Sequence, residues 1–216
     1  LGGRAAGIFA EAAMHTPVEI TDRAMAQVQA LGVDGTVAVG GGSTIGLGKA
    51  IALRTDLPQL AVPTTYAGSE MTTILGETAG GEKTTLRSMK VLPEVVVYDV
   101  DLTLSLPPSL SATSGMNAIA HAVETLYAVD GSPVTALMAE EAIRALARAL
   151  PRIIAAPRDA EARAEALYGA AGPAAACGQE GAVQPPAGSP LEGIEALHEA
   201  MMQLMGVHTP DPKQEA

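Results

Sequence analysis

Apolar residues recur at two different spacings along the chain, and this pattern predicts an α/β half followed by helices. In the first helical pattern, apolar residues stand at Met25, Val28 and Leu31, and Gly32 follows them. The four residues at 16–19 (TPVE) have the pattern of a capping box with proline at the first helical position. The sequence therefore predicts a capped helix that ends before Gly32.

Two short apolar runs come next, with a helical pattern between them. Residues 36–39 and 59–62 are typical of buried strands, and residues 44–54 are typical of a helix. Strand, helix and strand at this spacing predict a parallel β-α-β unit. Residues 71–98 alternate more like strands and end in an apolar run.

Helical patterns fill the chain after Pro107. We predict helices over about 114–127, from Ser132-Pro133 to Leu150, and over about 159–168. This change in pattern predicts an α/β domain over residues 1–107 and a helical domain over 108–170. The remaining residues, 171–216, are typical of a Gly/Pro/Ala linker (172–190), a short helix and a polar tail.

Composition excludes several classes of protein. The net charge is −11 over 216 residues, and no basic stripe with interleaved aromatics occurs, which argues against nucleic-acid binding. We expect neither a membrane span nor a signal segment, because no apolar run is long enough and no charged-then-apolar segment occurs near Leu1. Cys177 is the only cysteine, which suits a reducing cytoplasm. We therefore expect a cytoplasmic protein that does not bind nucleic acid.

Three consecutive glycines follow the first predicted strand, in VAVGGGSTIGLGKAI at residues 37–51. The Walker A pattern fails, because Ala50 follows Lys49 where magnesium requires a hydroxyl. The dinucleotide fingerprint GxGxxG also fails, because Ile45 stands at its third glycine. A glycine turn with Ser43 opening a helix still aims backbone N–H groups at one point. An anion site and a closely packed tight turn both remain open on this stretch alone.

A Ser/Thr-rich stretch, VPTTYAGSEMTT at residues 62–73, follows the second predicted strand. In a parallel sheet this is the carboxyl edge, where ligands bind, although a loop that satisfies its own backbone fits as well. Together, VGGGST and PTTYAGSEMT resemble the iron-dependent alcohol dehydrogenase superfamily, over about residues 4–170. The later SGMNAIAHAVE, at 114–124, is most similar to the maleylacetate reductase branch of that superfamily.

The resemblance implies a fold and a cofactor site. The fold is an α/β nucleotide-binding domain followed by an all-α domain, similar to dehydroquinate synthase. The cofactor is NADH or NADPH, with its pyrophosphate on the glycine turn and further contacts from the second loop and one lysine. The residues implied are Gly40, Gly41, Gly42 and Ser43 in the turn, Thr64, Thr65, Ser69 and Thr72 in the loop, and Lys83. A solvated turn lysine is the alternative for Lys83, and Asp99 and Pro107 are expected to be structural.

The helix predicted from Ser114 carries the candidate catalytic residues. Asn117, His121 and Glu124 share one face at i, i+4 and i+7. An apolar stripe adjoins them, formed by Met116, Ala120, Val123 and Tyr127. Metal-dependent family members have aspartate where Asn117 stands, and a neutral amide is a poor ligand for iron or zinc. The resemblance therefore implies that His121 and Asn117 are active-site residues and that the chemistry needs no metal.

The implied reaction is hydride transfer from NADH or NADPH to a carbon–carbon double bond conjugated with a ketone. It would convert maleylacetate to 3-oxoadipate in the breakdown of aromatic compounds, with His121 as hydrogen-bond donor or acid. The dicarboxylate substrate needs local positive charge, which the sequence does not clearly locate. A homodimer is one expectation for the oligomeric state.

Departures from the family keep alternatives open. The family implies a further strand–helix–strand unit upstream of Leu1 and further histidines downstream, so we expect weak NADH binding and no turnover from these 216 residues. His198 is a candidate replacement, but its stripe with Ile194, Met201 and Met205 is more typical of packing. One alternative is a metal-dependent alcohol dehydrogenase or dehydroquinate-synthase-like lyase, against which Asn117 counts. A non-catalytic fragment or interaction protein is the other.

Overall fold

The computed structural model describes residues 2–128 and 131–177, with side chains as far as Gly172. Its helices and strands are α1 (Val18–Leu31), β1 (Thr36–Gly40), α2 (Gly42–Thr55), β2 (Gln59–Pro63), β3 (Ile74–Ala79), β4 (Glu82–Arg87), β5 (Val95–Val96), α3 (Pro108–Leu126), α4 (Pro133–Ala155) and α5 (Ala160–Cys177). In this described part, no helix combines the length and apolar character that crossing a membrane requires.

The chain divides into two compact units. The first, called the α/β unit, contains the residues up to Thr64 together with Gly68–Asp99. The second, called the helical unit, contains Thr65–Ala67 and the described chain from Val100 on. The domain limits 1–107 and 108–170 inferred from the sequence remain a prediction.

The α/β unit contains a three-stranded parallel sheet in the order β1-β2-β5. The strand–helix–strand arrangement of β1, α2 and β2 is the predicted β-α-β unit. On one face of the sheet, Ala38 and Ala61 pack with Ile45 of α2. On the other face, Val37 and Val39 are about half exposed, so the prediction that β1 is buried holds for one face only.

A separate antiparallel hairpin is formed by β3 and β4. Gly80 and Gly81 make its two-residue turn with φ of 56° and 86°, a backbone that glycine adopts without a steric penalty. Every residue of β4 is exposed, including Lys83.

The helix α1 ends as predicted but begins differently. Gly32 is left-handed at φ 57°, and its N–H donates to the carbonyls of Val28 and Gln29. The predicted capping box is wrong, because the N-cap residue is Pro17 and no side chain caps the helix. Thr16 itself has φ 47°, and its carbonyl accepts the N–H of Thr78 in β3 at 3.3 Å. Because Thr16 pairs with a distant strand, it does not serve as the N-cap residue of α1.

The helical unit is built from α3, α4 and α5. The capping box predicted at Ser132 is present, with Thr135 as its second member. Three alanines, Ala122, Ala139 and Ala142, form a cluster in which small side chains bring α3 close to α4. The predicted linker from 172 is wrong for residues 172–177, which continue α5. The rest of that segment and His198, Ile194, Met201 and Met205 lie outside the described residues.

The buried face of α3 differs from the predicted stripe. The buried residues are Ser111, Ala112, Gly115, Met116, Ala118, Ile119, Ala122 and Thr125. Of the predicted stripe, only Met116 is among them, whereas Ala120, Val123 and Tyr127 are half-buried. The predicted stripe follows the spacing of apolar residues, whereas the packed face is formed mainly by small residues, some of them polar. Gly115 illustrates this, because a methyl group there would overlap Leu150 of α4.

Candidate functional site

The two motifs meet at the carboxyl edge of the parallel sheet. Gly40, the last residue of β1, lies opposite Pro63, the last residue of β2. The Gly40 carbonyl accepts the N–H of Thr64 at 3.0 Å. A side chain at Gly40 would overlap that of Thr44, so the turn has no room for one. The glycine turn and the Ser/Thr-rich loop are therefore held together at the edge where ligands bind in parallel sheets.

The helix α2 begins directly at this turn. Gly41 is its N-cap residue, and no side chain caps the helix. The Gly41 carbonyl accepts the N–H groups of Thr44 and Ile45 at 3.0 and 3.1 Å. The first N–H groups of an α-helix, here those of Gly42 and Ser43, have no acceptor within the helix. They and the positive end of the helix suit an anion.

A cavity of about 180 Å³ lies in the α/β unit beside this helix start. Its lining includes four residues predicted to bind the cofactor: Gly42, Ser43, Ser69 and Lys83. It also includes residues that were not predicted to bind the cofactor: His15, Thr16, Gly46, Lys49, Ile74, Leu75 and Gly76. Since pockets for whole drug-sized ligands are about 300–1,000 Å³, this volume suits part of a dinucleotide, such as the pyrophosphate.

The other predicted cofactor residues lie around the cavity or elsewhere. Gly40, Gly41, Thr64 and Thr72 are in the α/β unit but not in the cavity lining. The Thr72 hydroxyl donates to the Ser69 carbonyl at 3.1 Å and accepts a hydrogen bond from Lys49.

Lys49 is the residue that sequence reasoning missed. Its side chain is fully buried in α2 and its ammonium donates to three oxygens of the segment 72–74. Burial lowers the pKa of Lys49 to about 7, although the negative charge of Glu70 opposes this shift. The sequence does distinguish Lys49, because it is the only charged residue between Asp34 and Arg54 and therefore lies alone in an apolar stretch.

Glu70 and Tyr98 form a second buried contact in the same unit. Glu70 is 2% exposed and accepts a hydrogen bond from the Tyr98 hydroxyl at 2.9 Å. Burial raises the pKa of Glu70, while hydrogen bonds from its own backbone and from Tyr98, and the charge of Lys49, act against the rise. Burial also raises the pKa of Tyr98, and Glu70 adds to that rise. Tyr98 therefore stays a neutral hydrogen-bond donor.

His15 and Thr16 form one wall of the cavity with an uncommon backbone. Their φ angles are 63° and 47°, the left-handed region that non-glycine residues rarely adopt. Such residues concentrate at functional sites. Thr16 approaches Gly46 of α2 so closely that a side chain at Gly46 would overlap its hydroxyl.

Thr65 belongs to the helical unit, where its neighbour Tyr66 is anchored. The Tyr66 side chain is fully buried, and its hydroxyl accepts a hydrogen bond from Arg163 at 3.2 Å. The Tyr66 N–H donates to the Ser114 hydroxyl of α3 at 3.4 Å. These bonds fix the middle of the Ser/Thr-rich loop within the helical unit.

The candidate catalytic residues lie on an exposed face of α3. Asn117 and His121 are exposed and Glu124 is partly exposed. The His121 Nδ1 lies 3.1 Å from Glu124 Oε2. Glu124 therefore orients the imidazole of His121 on this face of α3.

Two family models match most of the chain. One, described as iron-containing alcohol dehydrogenase, matches residues 2–100. The other, described as the C-terminal part of the Fe-containing alcohol dehydrogenase family, matches residues 111–183. The chain belongs to the iron-containing alcohol dehydrogenase family. The resemblance inferred from the glycine turn, the Ser/Thr-rich loop and the α3 motif is confirmed.

Within the iron-containing alcohol dehydrogenase family, the chain is similar to named reductases. A maleylacetate reductase from Rhizobium sp. (strain MTP-10005) is 60% identical over 170 residues, which cover 79% of this chain and 48% of that protein. The crystal structure of maleylacetate reductase from the same strain has a TM-score of 0.82 at 56% identity, covering 84% of this chain and 52% of that one.

A solved structure of lower sequence identity contains a bound nucleotide. It is the sulfoacetaldehyde reductase from Bifidobacterium kashiwanohense in complex with NAD+, with a TM-score of 0.74 at 27% identity. The match covers 78% of this chain and 50% of that one. The α/β and helical fold predicted from the sequence is confirmed by these structures. The chain spans about half the length of the relatives it matches.

The family name implies a metal, and the residues described do not form a site for one. Over residues 2–128 and 131–177, no group of three or more His, Cys, Asp or Glu side chains is placed to hold a metal ion. On α3, His121 has Glu124 beside it, but Asn117, four residues earlier, offers a neutral amide oxygen, which is a poor ligand for iron. The donor set of α3 thus does not fit iron.

Proposed function

We propose that this chain belongs to an NAD(P)H-dependent oxidoreductase that reduces maleylacetate to 3-oxoadipate. The observation that carries the proposal is the 60% identity over 170 residues to a protein named maleylacetate reductase. That span is most of the chain, and the family-model match over residues 2–100 contains a glycine turn and a cavity suited to an anion.

In this proposal the α/β unit binds the dinucleotide. The N–H groups of Gly42 and Ser43 would donate to the pyrophosphate at the start of α2. Lys83 and Ser69, which line the same cavity, would add a positive charge and a hydroxyl. Gly40, Gly41, Thr64 and Thr72 stay in the proposed cofactor site as residues of the same unit that shape its turn and loop.

The helical unit would supply the group that acts on the substrate. When bound, NADH or NADPH supplies the hydride. His121, oriented by Glu124, would donate a hydrogen bond or a proton to the ketone oxygen as negative charge develops there. Asn117, one turn earlier on the same face, would donate an amide hydrogen bond to the same substrate.

We propose that this reaction proceeds without a metal, because Asn117 replaces a charged ligand. A metal-dependent alcohol dehydrogenase is the second candidate, and the family name favours it. We further propose a dicarboxylate substrate, no nucleic-acid partner, and a homodimer. The single cysteine, Cys177, supports a cytoplasmic location, since disulfide-free chains are typical of that compartment.

Two assays test the proposed function. In the first, NADH is titrated into the purified 216-residue chain and its fluorescence reports binding. In the second, the aligned residues of the Rhizobium relative are replaced by those of this chain, and NADH oxidation is followed after addition of maleylacetate. We expect turnover in the range of about 1–1,000 per second without added metal. Formation of NADH from NAD+ and a simple alcohol, seen only with added iron or zinc, would favour the second candidate.

A further inference from the structure

Three oxygens of one loop segment converge on the ammonium group of Lys49. It donates to the Thr72 carbonyl at 2.8 Å, to the Thr72 hydroxyl at 2.8 Å and to the Ile74 carbonyl at 2.9 Å. Since an ammonium has three N–H donors, these acceptors use all of them. Lys49 therefore joins the helix that begins at the glycine turn to the end of the Ser/Thr-rich loop.

The Thr72 hydroxyl extends this connection to Ser69. It accepts from Lys49 and donates to the Ser69 carbonyl at 3.1 Å. Ser69 and Lys49 both line the cavity at the start of α2. A chain of hydrogen bonds from Lys49 through Thr72 thus fixes the position of Ser69 on the cavity wall.

Full burial of a lysine is unusual and calls for a reason beyond stability. Lys49 is fully buried, and seven other residues of α2 are buried around it, from Ile45 to Ala52. Replacing a buried charge by an apolar side chain of similar volume is often neutral or stabilising. The charge of Glu70, in the same loop, acts on this ammonium, and Lys83 lines the same cavity.

We propose that Lys49 is a positioning residue for the dinucleotide. Through Thr72 it holds Ser69 in the position on the cavity wall where that residue would bind the pyrophosphate. This inference rests on the proposed function, because it assumes that NADH or NADPH occupies the cavity. It also explains why Thr72, which matches a cofactor residue of the family, lies outside the cavity lining: Thr72 acts through Ser69.

The test is an NADH titration of the full 216-residue chain and four variants. Lys49→Met keeps the length of the side chain and removes its donors and charge, and we expect it to weaken NADH binding by about tenfold or more. Lys90→Met is the matched control, since Lys90 is an exposed lysine of the same unit paired with Asp56 at 3.3 Å. Its affinity should stay within about twofold of the original chain.

A second pair of variants covers the case in which Lys49→Met fails to fold. Thr72→Val removes the hydroxyl and Thr72→Ser keeps it, so we expect Thr72→Ser to bind NADH more tightly than Thr72→Val. A role confined to stability would lower the unfolding midpoint and leave the affinity of the folded protein unchanged.

The outcomes separate this inference from the proposed function. If the original chain binds NADH and folded Lys49→Met binds it equally well, the positioning role is wrong and the proposed function stands. If Thr72→Val and Thr72→Ser bind alike, the hydrogen-bond chain to Ser69 is wrong. If the original chain does not bind NADH at all, the proposed function and the positioning role fail together.

Discussion

The Arg163 Nη1 lies 3.2 Å from the hydroxyl oxygen of Tyr66, and both side chains are fully buried in the helical unit. The guanidinium also donates to the backbone carbonyls of Pro157 at 2.7 Å and Leu106 at 2.8 Å, and to that of Thr103. One side chain of α5 thus holds a residue of the Ser/Thr-rich loop and the segment that leads into α3.

We predict that Arg163→Met destabilises the protein by about 3 kcal/mol or more, because it leaves several buried oxygens without a donor. Chemical denaturation followed by circular dichroism measures the loss. Arg158→Met is the control, since Arg158 is exposed and lies only five positions earlier. A loss at Arg163 no larger than that at Arg158 would show that water replaces the guanidinium without cost.

The second prediction concerns pH and Lys49. Burial lowers the pKa of this lysine from 10.5 to about 7, so between these values the unfolded chain binds more protons than the folded one. Protein stability relative to Lys49→Met should therefore rise as pH increases from 7 towards 10. Glu70 has the opposite effect on stability. Because its pKa is raised above 4.5, the folded state binds more protons than the unfolded chain above that pH, and the contribution of Glu70 to stability falls as pH rises.

Denaturation midpoints at pH 6, 8 and 9.5 for the original chain and Lys49→Met measure this difference. The comparison cancels the contributions of Glu70 and Tyr98 to first order, because both variants retain these groups. A difference that is flat or falls with pH would mean that Lys49 stays protonated throughout.

The third prediction concerns metal. Because Asn117 supplies no negative charge, purified protein should hold well under one equivalent of iron or zinc by elemental analysis. Asn117→Asp restores a carboxylate four residues before His121 and should raise zinc affinity by about tenfold or more. Stoichiometric metal in the original chain that disappears in His121→Ala would instead support the metal-dependent alcohol dehydrogenase.

Local signals predicted the elements that form the site. The β-α-β unit could be predicted from the apolar runs of β1 and β2 and from the glycines between β1 and α2. Each of these patterns lies within a few consecutive residues. The start of α3 was predicted at about Ser114 but lies at Pro108. Its first turns are rich in Ser and Thr, whose hydroxyls bond to carbonyls four residues earlier, as Thr113 does to Ser109 at 2.9 Å. Packing of α3 outweighs the lower helix propensity of its Ser, Thr and Gly residues.

Long-range contacts explain what the sequence did not reveal. Lys49 bonds to Thr72 and Ile74, more than twenty positions away. Thr16 pairs with Thr78, which replaces the capping box that its local sequence indicates. No spacing rule within one element reports such contacts, since they depend on how the hairpin and the loop pack against α2.

The central claim is that the turn at Gly40–Ser43 binds a dinucleotide. Gly42→Val adds a branched side chain at the point where the pyrophosphate would approach the start of α2, whereas Gly3→Val adds the same atoms in open space. The decisive measurement is the NADH dissociation constant of the original chain and of these two variants by fluorescence titration. We predict saturable binding that Gly42→Val abolishes and Gly3→Val leaves unchanged. Equal NADH affinity in all three proteins would contradict the claim and would mean that the glycines only form a tight turn.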